Sequence, residues 1–243
     1  MANIVRDNLR PWNQDAERLL LYADIMGFKN RIYTSSHAEI KKQFIEFRER
    51  LIKGLSQFTK TDNIRVVQFS DSILIVAKGT DSRMFNLITK AAARLMHVAI
   101  ERGFAIKGVL SKGVFMMDQD RQIYFGKPLV DAALLYDELK FYGVAVHHTA
   151  EKVVKAFMSA ERPYSNTRVC LKTGKVCHYH LCWHLLNKSL ASEDISETAI
   201  EWLNRIAATV SGEPRVYIDN TIDMIKQDKI VVNDALNADG APA

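Results

Sequence analysis

Residues 18–26 read RLLLYADIM, an apolar run of strand length that a single acid, Asp24, interrupts and Gly27 closes. A short apolar run ending on glycine predicts a buried strand. A carboxylate inside it is costly without compensation, so Asp24 is expected to have a partner or a metal ion. Upstream, residues 1–16 read as a polar lead-in. Downstream, residues 35–58 carry Ile40, Phe44, Phe47, Leu51, Ile52 and Leu55 at spacings of three and four, the pattern of an amphipathic helix behind a serine cap. Residues 64–78, IRVVQFSDSILIVAK, are two β-rich runs around Phe69-Ser70-Asp71-Ser72, which predicts a hairpin turning at Ser70-Asp71.

The rest of the chain continues the alternation. Asp81 and Ser82 cap a helix that runs to Arg102 and stops at Gly103. Residues 104–116 and 121–126 read as strands, Pro128–Phe141 as a helix with proline in its first turn, 143–148 as a strand and 150–159 as a helix. This β-α-β-β-α-β order, followed by α-β, predicts an α+β, ferredoxin-like core whose sheet has one open face. A hairpin over 166–185, turning at Lys172–Lys175, and a helical stretch over 195–228 follow as a C-terminal extension. The expected division is a lead-in at 1–16, a main domain at 17–190, a helical extension at 191–230 and a disordered tail at 231–243.

Composition narrows the function. The sequence is 48% apolar and 25% charged, an ordinary globular balance. Its net charge of +5 suits an anionic ligand such as a nucleotide, and the lack of a long basic run argues against nucleic acid. Three cysteines make no disulfide framework and suit a reducing cytoplasm. No secretory signal and no run long enough to span a bilayer is visible, so no membrane partner is expected.

The predicted topology sets the hairpin turn beside the end of the first strand. That brings Asp24 and Asp71 together across 47 residues. Two adjacent carboxylates repel each other, and divalent cations relieve the repulsion. All-oxygen donors select Mg²⁺ or Mn²⁺. Two such ions can activate a hydroxyl and stabilise a pyrophosphate leaving group in an in-line displacement. Gly27 lets backbone N–H groups approach a triphosphate, Phe28 follows it, and Lys29 supplies positive charge there.

Tyr22-Ala23-Asp24-Ile25-Met26-Gly27-Phe28 resembles the first metal-binding strand of class III nucleotidyl cyclases. Phe69-Ser70-Asp71-Ser72 resembles that family's Gly-Asp hairpin with serine for glycine. Lys107–Gly113 resembles its basic-x-Gly-apolar-x-x-Gly strand, and Tyr124–Ala133 the segment entering its interface helix. The resemblance spans about residues 17–150. It implies that Asp24 and Asp71 are catalytic metal carboxylates, with the carbonyl of Ile25 as the third protein ligand. It also implies two divalent ions, a nucleoside triphosphate substrate and a homodimer with sites at the interface.

The departures are specific. Where purine cyclases carry a base-reading lysine, four residues before the second Asp, this chain has Val67. Ile123 lies near their second base-reading position. Val130 and Leu134 stand where their transition-state Asn and Arg fall. Arg102, Lys107 and Lys112 are the candidates to replace the lost charge. With these departures the chain is most similar to the bacterial pyrimidine cyclases of the Pycsar antiphage system. That implies UTP or CTP as substrate, uridylate over cytidylate, and a cyclic second messenger acting on a separate effector. Tyr22, two residues from Asp24 and so on the same strand face, is the candidate to line a compact base pocket. The alternatives are an adenylate or guanylate cyclase on the same fold, or a catalytically silent cyclase-like module.

Cys177, His178, His180, Cys182 and His184 crowd into one short stretch. Their spacing matches neither a zinc ribbon nor a finger, and only Cys170 across the hairpin offers a further donor. The expectation is a strand that simply uses these residues. His147-His148 is expected to end a strand.

Overall fold

Strand β1 (Ala16–Ile25) is an interior strand of the sheet in the structure, a computed structural model that describes residues 11–158, 164–185 and 194–239. Its side chains alternate between two faces. Leu19, Leu21, Ala23 and Ile25 enter one apolar core, and Leu20 a second, with Tyr22 packed against it. Arg18, at its start, is fully buried and donates to the carbonyls of Phe115, Lys78, Pro11 and Gln14. Trp12, in the expected polar lead-in, is buried too, and the Arg18 guanidinium lies over its ring. Residues 1–10 lie outside the described residues.

After β1 come α1 (Phe28–Thr34) and α2 (His37–Thr59), then the hairpin β2 (Ile64–Phe69) and β3 (Ser72–Ala77). Helix α3 (Ser82–Glu101) leads to β4 (Ile106–Asp118). Ser36 and Glu39 form a capping box on α2, and Asp81 caps α3 by accepting from Met84 N. Helix α1 is absent from the sequence reading, because seven residues are too few to show a period. The strand order β2-β3-β1-β4 is the ferredoxin-like arrangement expected.

The chain continues through β5 (Ile123–Phe125), α4 (Lys127–Glu138), β6 (Gly143–Val146) and α5 (His148–Phe157). Strand β6 runs parallel to β4. His147 caps α5 by accepting from Thr149 N. The hairpin β7 (Tyr164–Leu171) and β8 (Gly174–Leu181) extends the sheet, with β8 against β6.

The C-terminal stretch divides. Helix α6 (Ser196–Ala207) ends before Gly212, whose φ of 69° suits glycine, and α7 (Glu213–Asp239) begins after it. A tail was expected from residue 231; the helix instead runs on to Asp239. Its Asn- and Asp-rich end looks like a tail by composition, yet after Pro214 no glycine or proline interrupts the chain before Gly240. Residues 240–243 and 186–193 lie outside the described residues.

The expectation of one open sheet face needs correction. Helices α2, α3 and α5 cover the first face. On the second, α4 and α7 pack Ala132, Leu135, Tyr136 and Met224 against Leu20, Val109 and Ala145. Part of this second layer comes from α7, which is remote in sequence from the strands it covers.

Candidate active site

Strand register assembles the site. Asp24 pairs with Ser72 of β3 on one side and Lys107 of β4 on the other, so all three share a face. Ser70 and Asp71 form the turn between β2 and β3, and Ile25 N–H donates to the Asp71 carbonyl at 3.1 Å. That bond holds the turn against the end of β1. Ser70 has φ 54°, the left-handed region where a two-residue hairpin favours glycine.

Asp24 is half-buried. Ser72 Oγ donates to its Oδ1 at 3.0 Å, and the Tyr136 hydroxyl donates to its Oδ2 at 3.2 Å. Burial, followed by the negative charge of Asp71, nevertheless holds the Asp24 carboxyl above its ordinary range; Ser72, Tyr136 and Lys107 only moderate the rise. The Tyr136 hydroxyl is driven well up by burial and by Asp24. The pair is short of positive charge, and its donors are all oxygen. The residues present fit hard divalent cations.

Lys107 is the cation on this face. Its Nζ sits 4.1 Å from the Tyr136 ring centroid and 5.3 Å from that of Tyr217 on α7. Burial pushes its amine down to about 8, against the pull of Asp137 and Asp24. The two other candidate cations point elsewhere: Arg102 Nη1 lies 3.3 Å from Glu46, and Lys112 Nζ 2.7 Å from Glu17.

The expected substrate residues divide into two groups. Tyr22, Leu74 and Val67 lie side by side across β1, β3 and β2, one row from Asp24. Tyr22 meets Tyr136 edge-on at 5.4 Å. This row is an apolar and aromatic floor beside the carboxylates. Gly27, Phe28 and Lys29 lie at the end of β1 instead. Gly27 has φ 73° and open space where a side chain would point; Phe28 packs on Phe44 at 4.6 Å; Lys29 is exposed in the first turn of α1. A cleft lined by Met26, Gly27, Arg31, Tyr142 and Tyr217 opens from there. Val130 and Leu134 are exposed on α4, on the side away from Tyr136, and do not reach the carboxylates of their own chain.

Sequence reasoning missed Tyr136 and Tyr217. Ala132, Leu135 and Tyr136, at spacings of three and four, mark the buried face of α4, and a hydroxyl on that face needs a partner. No comparable signal pointed to Tyr217.

No protein-family model matches the sequence, and no curated protein matches it. Solved structures do resemble it. A bacterial light-regulated adenylyl cyclase aligns with a TM-score of 0.51 at 12% identity, over 79% of this chain and 98% of that one. A second structure of a bacterial light-regulated adenylyl cyclase aligns with a TM-score of 0.51 at 12% identity, over 72% of this chain and 53% of that one. The mixed α+β sheet and its helices are therefore the fold of the class III cyclase core.

Proposed function

We propose that this chain is a nucleotidyl cyclase that converts UTP or CTP, UTP by preference, into the 3′,5′-cyclic monophosphate and pyrophosphate. The observation that carries the reading is the Asp24–Asp71 pair: Asp24 at a strand end, beside the hairpin turn whose Asp71 carbonyl accepts from Ile25 N–H, with the Asp24 carboxyl held above its ordinary range by burial and by Asp71. Asp24, Asp71 and the carbonyl of Ile25 are the groups to hold two Mn²⁺ or Mg²⁺ ions. Bound there, the ions supply the charge that activates the ribose 3′-hydroxyl and stabilises the departing pyrophosphate. The 3′-oxygen bonds to the α-phosphorus, the bond from that phosphorus to the bridging oxygen of pyrophosphate breaks, and the hydroxyl proton leaves to solvent.

The chain's own groups orient the substrate. Tyr136 and Ser72 aim the Asp24 oxygens. Gly27 leaves room for backbone N–H groups to approach phosphate, and Lys107 adds a positive charge on the Asp24 face. Val67 and Tyr22 offer the base an apolar, aromatic floor in place of a purine-reading lysine, which favours the smaller pyrimidine ring.

The site works as a homodimer in this reading. Val114, Phe125, Val130 and Leu134 gather on β4, β5 and α4, each more than half exposed. The cyclic product is the messenger for a separate effector in antiphage defence, as the resemblance to the Pycsar cyclases implies.

The test is incubation of the purified protein with Mn²⁺ and each of ATP, GTP, CTP and UTP in turn, with products resolved by mass spectrometry. A cyclic pyrimidine monophosphate is expected. Asp24→Ala and Asp71→Ala should each lower turnover by a factor of roughly 10³ or more, since a metal site supplies several kcal/mol of transition-state stabilisation. A purine product would overturn the pyrimidine reading while keeping the cyclase. No product from folded, dimeric protein, or normal turnover in either variant, would overturn the two-metal cyclase.

A further inference from the structure

In the sequence, the Cys/His-rich stretch matches no zinc spacing and finds no further donor but Cys170 across the hairpin. The fold supplies one from 44 to 48 residues away: Asp228 of α7. His180, Cys182 and Asp228 are buried, each at 2% exposure or less, and one donor atom from each lies within 4.8 Å of the others. His180 Nε2 is 2.9 Å from both Asp228 oxygens. His184, equally buried, has Nε2 3.1 Å from Asp228 Oδ2 and Nδ1 2.9 Å from Ser196 Oγ. Cys170, the donor expected from across the hairpin, pairs in register with Lys175 instead, at the far end of β8.

We propose that His180, Cys182, His184 and Asp228 bind one transition-metal ion, zinc by preference, at a structural site separate from the Asp24–Asp71 pair. Charge, geometry, donor chemistry and placement all favour a metal here. Among the described residues no lysine or arginine pairs with Asp228; its ring partners are the two imidazoles. A carboxylate this deep is costly without a fixed positive charge, whereas a dication balances the Asp228 carboxylate and a Cys182 thiolate together.

The second is geometry. Zinc bonds of about 2.0–2.3 Å in a tetrahedron set donor atoms roughly 3.3–3.8 Å apart. The His180–Asp228 contact needs to open by a few tenths of an ångström and the Cys182 thiol to close by up to about one, while His184, which touches Asp228 but stands outside the 4.8 Å group, has to move in as the fourth ligand. On binding, coordinate bonds form from Cys182 Sγ, from the two imidazoles and from the carboxylate, and the thiol proton leaves to solvent. Among the described residues no group bonds His180 Nδ1, so its ring proton can sit there, and the His184 ring proton can sit on Nδ1 facing Ser196 Oγ.

The third is donor chemistry. A thiolate with two imidazoles suits zinc and repels Mg²⁺, the opposite of the all-oxygen pair at Asp24 and Asp71. The fourth is placement. Tyr22, Val109, Ala145 and His180 follow one another across β1, β4, β6 and β8, so the cluster stands three strands, about 14 Å, from the Tyr22 row. It ties α7 to β8 and to the turn beyond it. About three turns back along α7, Tyr217 faces Lys107, so the metal holds the helix that walls the candidate active site.

The experiment uses the full chain, dialysed against a chelator and then titrated with Zn²⁺ or Co²⁺, and it does not depend on cyclase activity. The wild type should bind one zinc per chain, and so should Asp24→Ala. The Co²⁺ form should show a thiolate-to-cobalt charge-transfer band and the intense visible absorption of tetrahedral cobalt. Cys182→Ser should lose that band, and its zinc affinity should fall at least about tenfold. Wild-type protein that takes up no zinc and shows no thiolate band would overturn the proposal, leaving a hydrogen-bonded Asp-His-His cluster. Undiminished zinc binding in both Cys182→Ser and Asp228→Asn would overturn it as well.

Discussion

At the residue scale, the difference between Lys107 and its neighbours is one of surroundings. Arg102 and Lys112 carry the same charge but are each occupied by a glutamate. Lys107 faces Asp24 across the strand pair, and aromatic rings lie around its amine. If it supplies the charge that Val130 and Leu134 cannot, Lys107→Met should lower kcat/KM by roughly 10²-fold, the usual cost of one preorganised donor. Lys107→Arg should recover part of the loss. Steady-state kinetics on the substrate identified by mass spectrometry checks this, and equal losses in both variants would mean that packing, not charge, is what Lys107 provides.

At the scale of elements, the hairpin β2–β3 stores strain at Ser70, a non-glycine residue at φ 54°. A left-handed conformation costs an L-residue about 1–2 kcal/mol. Ser70→Gly should therefore stabilise the protein by about 1 kcal/mol, measured as a raised urea midpoint with an unchanged slope. A second element-level prediction concerns the packing of α3 on the turn after β8, where His97 Nε2 donates to the Trp183 carbonyl at 2.8 Å. Burial holds the His97 ring below its ordinary 6.5, with Arg94 and His184 pushing the same way and the Trp183 bond and Glu101 opposing. The unfolded chain takes up a proton in that range and the folded one resists it, so stability is full above about pH 6.5 and falls as pH drops through and below it. His97→Gln should flatten that slope in urea melts taken across the range.

At the scale of the whole molecule, one chain presents a carboxylate pair and an apolar face but no arginine or asparagine on α4 to complete a transition-state clamp. Leu134 is 65% exposed on that face. If this face joins two copies of the proposed cyclase, Leu134→Glu should give a folded monomer without turnover, less stable than the dimer only by the lost association. Light scattering beside a thermal melt reads both quantities. A monomeric wild type with full activity would remove the need for the face.

The local sequence around Asp24 and Asp71 was enough to determine the strand, the hairpin, their order and the meeting of the two acids. Period-two and period-3.6 patterns, caps and turn residues are local signals, and a ferredoxin-like order follows from them almost alone. Tyr136 was half-legible, since the spacing on α4 marked its face and not its partner. Only the tertiary structure decided that α7 lies across the second face of the sheet. That helix brings Tyr217 to Lys107 and Asp228 to His180, contacts that span 110 and 48 residues. No spacing rule reaches that far. Such contacts depend on which apolar faces remain to be buried once the core has formed, and that is settled by packing in three dimensions rather than by neighbours along the chain.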